Sequence, residues 1–474
     1  RRVHGDLFKK QRDNVCHVLR INEMIAFRGF LFLLISSSVH GAENFHTVQL
    51  SSFRSGTCQP FTQTFTNPAT VPVVNMHGPC SDKAKNLPTI EEILMEDEAR
   101  VAAIHRRKRS VETDSAVLPA IPGSLLFNGG YLAIVGIGTP PQLVSLVFDT
   151  GSSLTWTQCQ PCRRCYIQAD PIFDTSKSSS YSNESCTSNT CALAEVDTSA
   201  PTRCTSAGTC LYGISYGDNS LSIGYLANEK LTISETDAVS NFKFGCAKIS
   251  NGTFGLAAGL LGLGRGPLSI NSQTAALYKR FFSYCIPSSS RNTGFLSFGG
   301  RGNTSANPLQ FTPISSSFDP TLFGVDIVGV SVLGVALSIP QSVFTTAKGI
   351  IDSGTRITRL PLAAYAPIRD AFRAAMISYR TAPAVSLFDT CYDLGRSMVV
   401  RIPKIAFTFN GGAVVDLHPT GILVKVGSSV FCLGLAPNKR ATDVAIFGNV
   451  QQHTFEIVHD EAAGRIGFAP NACQ

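Results

Sequence analysis

The chain holds 474 residues, 44% of them apolar and 15% charged, with a formal charge of +7. That length exceeds what one hydrophobic core usually holds, so two domains are expected. Residues 1–115 carry 15 Lys/Arg and 12 Asp/Glu, leaving 25 and 21 beyond; a balance of +4 with no dense basic stripe argues against nucleic-acid binding as the main task.

Residues 1–23 precede Met24 and are read as an upstream extension without function. Residues 24–42 have the anatomy of a secretory signal: a short charged start, the apolar run Phe30-Leu31-Phe32-Leu33-Leu34-Ile35, then small residues around Val39-His40-Gly41-Ala42. The run is too short to span a bilayer; a core helix and an organelle transit segment are the competing readings. Residues 43–120 are polar and mixed. Within them, residues 89–101 show the apolar spacing of an amphipathic helix, which ends in His105-Arg106-Arg107-Lys108-Arg109. That basic run reads as a solvated linker, as a processing site, or as basic side chains that cover acidic groups in a zymogen. No second long apolar stretch follows, so no membrane partner is expected.

From Gly130 the texture changes. Short apolar runs alternate with Gly, Ser, Asn and Pro every eight to twelve residues, which predicts an all-β fold of many hairpins. The clearest helical pattern lies at residues 362–376. Of the 15 cysteines, 12 lie after residue 150, a dense even set that points to disulfides and an oxidising compartment. Sequons at Asn183, Asn251 and Asn303 give weak support for the same compartment.

One motif occurs twice. Leu146-Val147-Phe148-Asp149-Thr150-Gly151-Ser152 returns 203 residues later as Gly349-Ile350-Ile351-Asp352-Ser353-Gly354-Thr355. Each aspartate follows buried-type residues and precedes a hydroxyl, a glycine and a second hydroxyl. Alone, either copy is an ordinary Asp-Gly turn. As a pair, about one domain length apart, they suggest two similar lobes that each bring one acid to a shared cleft. A second echo, Leu260-Leu261-Gly262 and Ile446-Phe447-Gly448, gives each lobe a strand able to pass close beside its aspartate loop. Two carboxylates held about 3 Å apart share one proton, as is established for aspartic proteases. The charged one takes a proton from a water between them, and the protonated one polarises a scissile carbonyl. Thr150 and Ser353 are placed to brace the two loops, Ser152 and Thr355 to bond the outer carboxylate oxygens. The pair titrates as a unit, so acid activity is expected.

The sequence resembles pepsin-type aspartic endopeptidases, and most closely the plant nepenthesin-like group. The two Asp-[Thr/Ser]-Gly motifs match the family signatures. Trp156, the single tryptophan, stands seven residues after Asp149, where the family places a tryptophan bonded to the flap tyrosine. Tyr216-Gly217-Asp218-Asn219-Ser220 matches the flap, and residues 159–210 match a cysteine-rich insert. Residues 74–81 resemble the propeptide of plant members. Asn219, Ala247 and Phe323 depart from the group's usual residues and bear on pocket shape.

The resemblance implies a bilobal pepsin-like fold of two six-stranded-barrel-like lobes with few short helices and a cleft between them. It implies a propeptide over 43–120, a first lobe over 121–315 and a second over 316–474. Asp149 and Asp352 are the expected catalytic pair. Thr150, Gly151, Ser152, Ser353, Gly354, Thr355 and Trp156 support them, and Tyr216 and Gly217 face substrate from the flap. The implied disulfides are Cys159–Cys162, Cys165–Cys246, Cys186–Cys210, Cys191–Cys204, Cys285–Cys473 and Cys391–Cys432, although spacing alone fixes none of them. The mature chain is expected to begin between residues 110 and 128.

Other motifs carry less. Gly213-Ile214-Ser215-Tyr216-Gly217 fits the serine-hydrolase elbow but is followed by β pattern instead of a helix. Cys159-Gln160-Pro161-Cys162-Arg163-Arg164-Cys165 could suggest zinc or iron–sulfur ligands, for which disulfides are the better reading in a secreted chain. The expectation is therefore a secreted, extracellular (apoplastic) or vacuolar aspartic endopeptidase, made as a monomeric zymogen that its own propeptide inhibits. It acts on extended polypeptides without metal or organic cofactor. The alternatives are a catalytically silent binder or inhibitor on the same scaffold, and a chloroplast protease with nucleic-acid affinity.

Overall fold

The computed structural model describes residues 44–53, 56–59, 65, 67–81, 88–113 (side chains to 108), 130–216, 220–252, 254–302, 308–317 and 319–473. The expected signal, the region of the mature N-terminus, Gly217 and Asn303 lie outside the described residues.

The N-terminal segment contributes two strands and a long helix. Strand β1 (Phe45–Gln49) lies against Val399–Pro403 of the second lobe. Strand β2 (Thr70–Asn75) is an internal strand of the large sheet, paired on one side with Thr293–Phe298 and on the other with the first strand of the body. Helix α1 (Ile90–Thr113) opens with reciprocal bonds: Thr89 N–H to Glu92 Oε2 at 2.7 Å and Glu92 N–H to Thr89 Oγ1 at 3.2 Å. The sequence ends its amphipathic pattern at the basic run, yet the helix continues through it. No Gly or Pro interrupts residues 90–113. The basic side chains also find partners: Lys108 Nζ donates to the Ala347 carbonyl at 3.1 Å, and His105 Nε2 lies 3.0 Å from the Val444 carbonyl.

In the body, β3 (Tyr131–Ile137) and β4 (Gln142–Asp149) form an antiparallel pair that registers Leu132 with Val147. β4 is buried on both faces over its last six residues, so its continuous apolar run delivers Asp149 directly from the core. β5 (Trp156–Gln158) follows. The flap hairpin is β6 (Cys210–Ser215) and β7 (Leu221–Thr232), closed by Tyr216 N–H to the Ser220 carbonyl at 2.8 Å. Ser215 thus sits at a hairpin, which removes the serine-elbow reading. β8 (Gly259–Gly262) threads between β4, parallel, and β5, antiparallel. Gly262 is required there: a Cβ would stand 2.0 Å from the Ser153 carbonyl oxygen.

The second lobe repeats the device. β9 (Gly349–Ile351) runs parallel to Ala445–Phe447, which is antiparallel to β10 (Thr358–Leu360). A Cβ on Gly448 would lie 2.7 Å from the Arg356 carbonyl oxygen. Helix α2 (Leu362–Ala375) buries Tyr365, Ile368 and Phe372 against this lobe. Near the C-terminus, Glu456–Asp460 pairs with Phe281–Cys285, so the strand path continues from one lobe into the other. Phe148, Phe282 and Tyr284 pack where the two meet, each 0–1% exposed, and burial of such a side chain is worth about 1.5–3 kcal/mol.

Two disulfides match the expected pairing, Cys285–Cys473 and Cys391–Cys432. The other four differ, and burial explains why. Cys159 and Cys246 are both fully buried and pair with each other, which leaves the surface pair Cys162–Cys165. In the insert, Cys191 and Cys210 lie in the core beneath Trp156 and form the inner bridge, while Cys186 and Cys204 form the outer one. A seventh bridge, Cys58–Cys80, joins two parts of the N-terminal segment.

Candidate active site

Asp149 and Asp352 lie at corresponding ends of β4 and β9, both essentially unexposed. Their loops mirror each other. Asp149 Oδ1 accepts the Gly151 N–H at 2.9 Å, and its Oδ2 accepts the Ser152 hydroxyl at 2.8 Å. Asp352 Oδ1 accepts the Gly354 N–H at 3.0 Å, and its Oδ2 accepts the Thr355 hydroxyl at 2.5 Å. Between them the Thr150 N–H donates to Ser353 Oγ at 3.0 Å, and the Ser353 N–H to Thr150 Oγ1 at 2.9 Å. Four bonds fix the carboxylate planes, and two more lock one loop to the other.

A guanidinium fills the space in front of them. Arg100 of α1 donates from Nη2 to Asp149 Oδ1 at 2.7 Å and to Asp352 Oδ1 at 2.9 Å, and from Nε to Asp352 Oδ2 at 3.0 Å. Burial alone would push this guanidinium down, but the two carboxylates reverse that and hold it above its ordinary value. The same contact splits the acids. Burial raises Asp149, yet Arg100 and the Gly151 and Ser152 donors outweigh it, so Asp149 titrates below the usual carboxylate range. Burial also raises Asp352; Arg100 pulls against it, and repulsion from Asp149 leaves the net value above the usual range.

One of the three sequence readings gave the covering role to residues 105–109, and none considered Arg100. His105, Arg107 and Lys108 bind elsewhere: His105 near Asp443, Arg107 at Asp319, Lys108 at backbone carbonyls. The helix period held the missing signal. Leu94, Asp97, Val101 and His105 are spaced along one buried face, and Arg100 stands beside it as the only base between residues 90 and 104.

On the first lobe, Trp156 Nε1 donates to the Tyr216 hydroxyl at 2.7 Å. Phe254, which sequence reading did not single out, presents an edge to both rings, 4.8 Å from Trp156 and 5.6 Å from Tyr216. The flap base is therefore held by one hydrogen bond and an aromatic cluster. Asn183 and Asn251 are exposed. Among the described residues no group of three or more His, Cys, Asp or Glu is placed to hold a metal, and no helix is long and apolar enough to cross a membrane.

Two family models match the chain, xylanase inhibitor N-terminal over residues 131–300 and xylanase inhibitor C-terminal over 323–470. An aspartyl protease family protein of Arabidopsis thaliana is 48% identical over 444 residues, covering 90% of this chain and 93% of that protein. The chain belongs to the plant pepsin-type aspartic protease family. Aspartic proteinase nepenthesin-2 of Nepenthes gracilis, another member, is 35% identical over 406 residues and covers 83% of this chain and 88% of its own. The fold is also that of basic 7S globulin from soybean, with a TM-score of 0.58 at 20% identity over 72% of this chain and 91% of that one.

Proposed function

We propose that this chain is the zymogen of a secreted aspartic endopeptidase, with residues 43–120 as its propeptide and Asp149 and Asp352 as its catalytic pair. The observation that carries the reading is the mirrored pair of carboxylates, each held by a glycine N–H and a hydroxyl, with Arg100 bridging them. While Arg100 is in place, no water can lie between the acids and no scissile carbonyl can reach them. Once α1 leaves, the pair loses its cation and shares one proton. The ionised carboxylate then draws a proton from water, and the protonated one donates to the carbonyl oxygen. The extended substrate lies between the lobes under Tyr216. Seven disulfides among the described residues suit an extracellular or vacuolar compartment, and Asn183 and Asn251 are accessible for glycosylation.

Matured protein incubated with denatured polypeptide at roughly pH 3–5 is expected to cut it, and a statine-type mimic of the tetrahedral state is expected to block the cut. Failure to cut under those conditions would end this reading. The family models favour one other reading, a non-catalytic inhibitor on the same scaffold; it requires the matured chain to bind a cell-wall hydrolase such as a xylanase and leave polypeptides intact.

The flap bond gives a graded prediction. Trp156→Phe keeps a ring against Phe254 and removes the donor to Tyr216. Losing one such bond is worth about 1 kcal/mol, so turnover should fall roughly fivefold, and the smaller ring in a fully buried site should lower the melting temperature by a few degrees. An unchanged kcat/KM would show that the bond does not position the flap.

A further inference from the structure

Trp156 stands seven residues after Asp149, and Arg359 stands seven after Asp352. The two occupy matching places in the fold. Trp156 registers with Leu260 of the strand beside the first aspartate, Arg359 with Ile446 of the strand beside the second. Trp156 gives its one N–H to the flap. Arg359 is 1% exposed, and among the described residues of the two lobes its one acceptor is the Ile357 carbonyl, 2.8 Å from Nη1. Its Nε has no partner.

Both anions that face Arg359 come from α1. Nη2 donates to Asp97 Oδ2 at 2.8 Å and to Glu98 Oε1 at 2.9 Å. Asp97 also accepts two backbone N–H groups, that of Arg356 at Oδ1 and that of Ile357 at Oδ2, 3.2 Å away. Lys439 adds a second cation, 3.4 Å from Glu98. A guanidinium and two converging N–H groups thus form a built carboxylate cradle. Asp97 lies one helical turn before Arg100, which places the cradle about 4.5 Å along the helix axis from the residue that covers the catalytic pair.

Departure of α1 strips the cradle of its carboxylates. The guanidinium and the two N–H donors then face the opened cleft, already oriented for another carboxylate to replace the lost one. We infer that this cradle is a substrate subsite of the mature enzyme, taking the carboxylate of an Asp or Glu close to the scissile bond, and that Asp97 and Glu98 occupy it in the zymogen as stand-ins for that side chain. The inference rests on the peptidase reading and names a substrate class for it.

The test uses peptide pairs that differ only by Glu or Gln at each position flanking the cut. With matured wild-type protein at pH 5, one position should show a Glu/Gln ratio in kcat/KM of about ten, the scale of a charge-assisted bond. The ratio should decline toward one as pH falls below the ordinary Glu value of about 4.3. Arg359→Met should bring it near one at every pH; if that variant does not fold, the wild-type pH dependence still decides. Binding of the same pairs to matured Asp149→Asn, measured by calorimetry, reads the cradle without turnover. A Glu/Gln ratio near one in both assays overturns the inference even where the peptides are cut. A retained binding preference with no cleavage by the wild type upholds the cradle and overturns the peptidase reading instead.

Discussion

Asp149→Asn is expected to lower kcat on a denatured protein substrate by at least the range of about 10²–10⁴-fold that a positioned general base contributes. The fold should survive, because the side chain keeps its size, its amide oxygen can still accept from the Gly151 N–H, and its NH2 can donate to the Ser152 hydroxyl oxygen in place of the bond that hydroxyl now donates. What the substitution removes is the charge that withdraws a proton from water. Asp352, already pushed toward its protonated form by burial and by its partner, is suited to the donor role and cannot act as base at the same time. The two residues work as one unit, so Asp149→Asn with Asp352→Asn should be little worse than either alone. Steady-state kinetics on matured variants, with a thermal melt to show that each is folded, checks this. A single variant within tenfold of wild type would place the chemistry elsewhere.

How much of this was legible in the sequence follows from what each feature depends on. The aspartate loops depend on local order: an apolar strand, then Asp-[Thr/Ser]-Gly and a hydroxyl. The threaded glycines at 262 and 448 depend on one close approach that only the absence of a Cβ permits, so the sequence marks them as well. Trp156 and Tyr216 were legible because one is the chain's single tryptophan and the other sits on a recognisable hairpin. Disulfide partners were not, because the sequence counts cysteines without stating depth: Cys186, Cys191, Cys204 and Cys210 pair inner with inner and outer with outer, and only packing under Trp156 decides which are inner. Arg100 was overlooked because charge density drew the reading to residues 105–109. Density marks a basic surface; the covering role falls to one base whose helical phase faces the acids. The same phase carries Asp97 to Arg359, a contact across 262 residues that no local pattern encodes.

Arg100→Met should release α1 at a higher pH than the wild type does. In the wild type Arg100 draws both acids toward their charged forms, and the two let go in turn as pH falls. Asp149 has a depressed value, so its bond to Arg100 favours the docked helix at neutral pH and is lost as pH falls through that value. Arg100 also lowers Asp352, so its ionisation favours docking as well; burial and Asp149 outweigh Arg100 and leave its value raised, so it takes up a proton first as pH falls and its share of the docking is lost first. Arg100 therefore stays with Asp149 while Asp352 titrates, and the helix leaves only below the ordinary Asp value of about 3.9. Methionine preserves the length and the apolar stem and leaves two buried carboxylates with no cation. Breaking a buried pair by removing one partner costs on the order of 3–5 kcal/mol, which weakens docking by about 10²-fold or more. Leu94 in its apolar pocket and Asp97 on Arg359 should still hold the helix at neutral pH, so the variant is expected to fold. Limited proteolysis of residues 90–108 as a function of pH, in a background carrying Asp149→Asn to prevent self-cleavage, would be misleading, because that change also removes the charge Arg100 binds. The measurement belongs instead in otherwise wild-type protein, given brief pulses of an external protease at each pH and corrected for the self-cleavage seen without that protease. A variant whose helix becomes cleavable at the same pH as the wild type would show that Arg100 does not latch the segment.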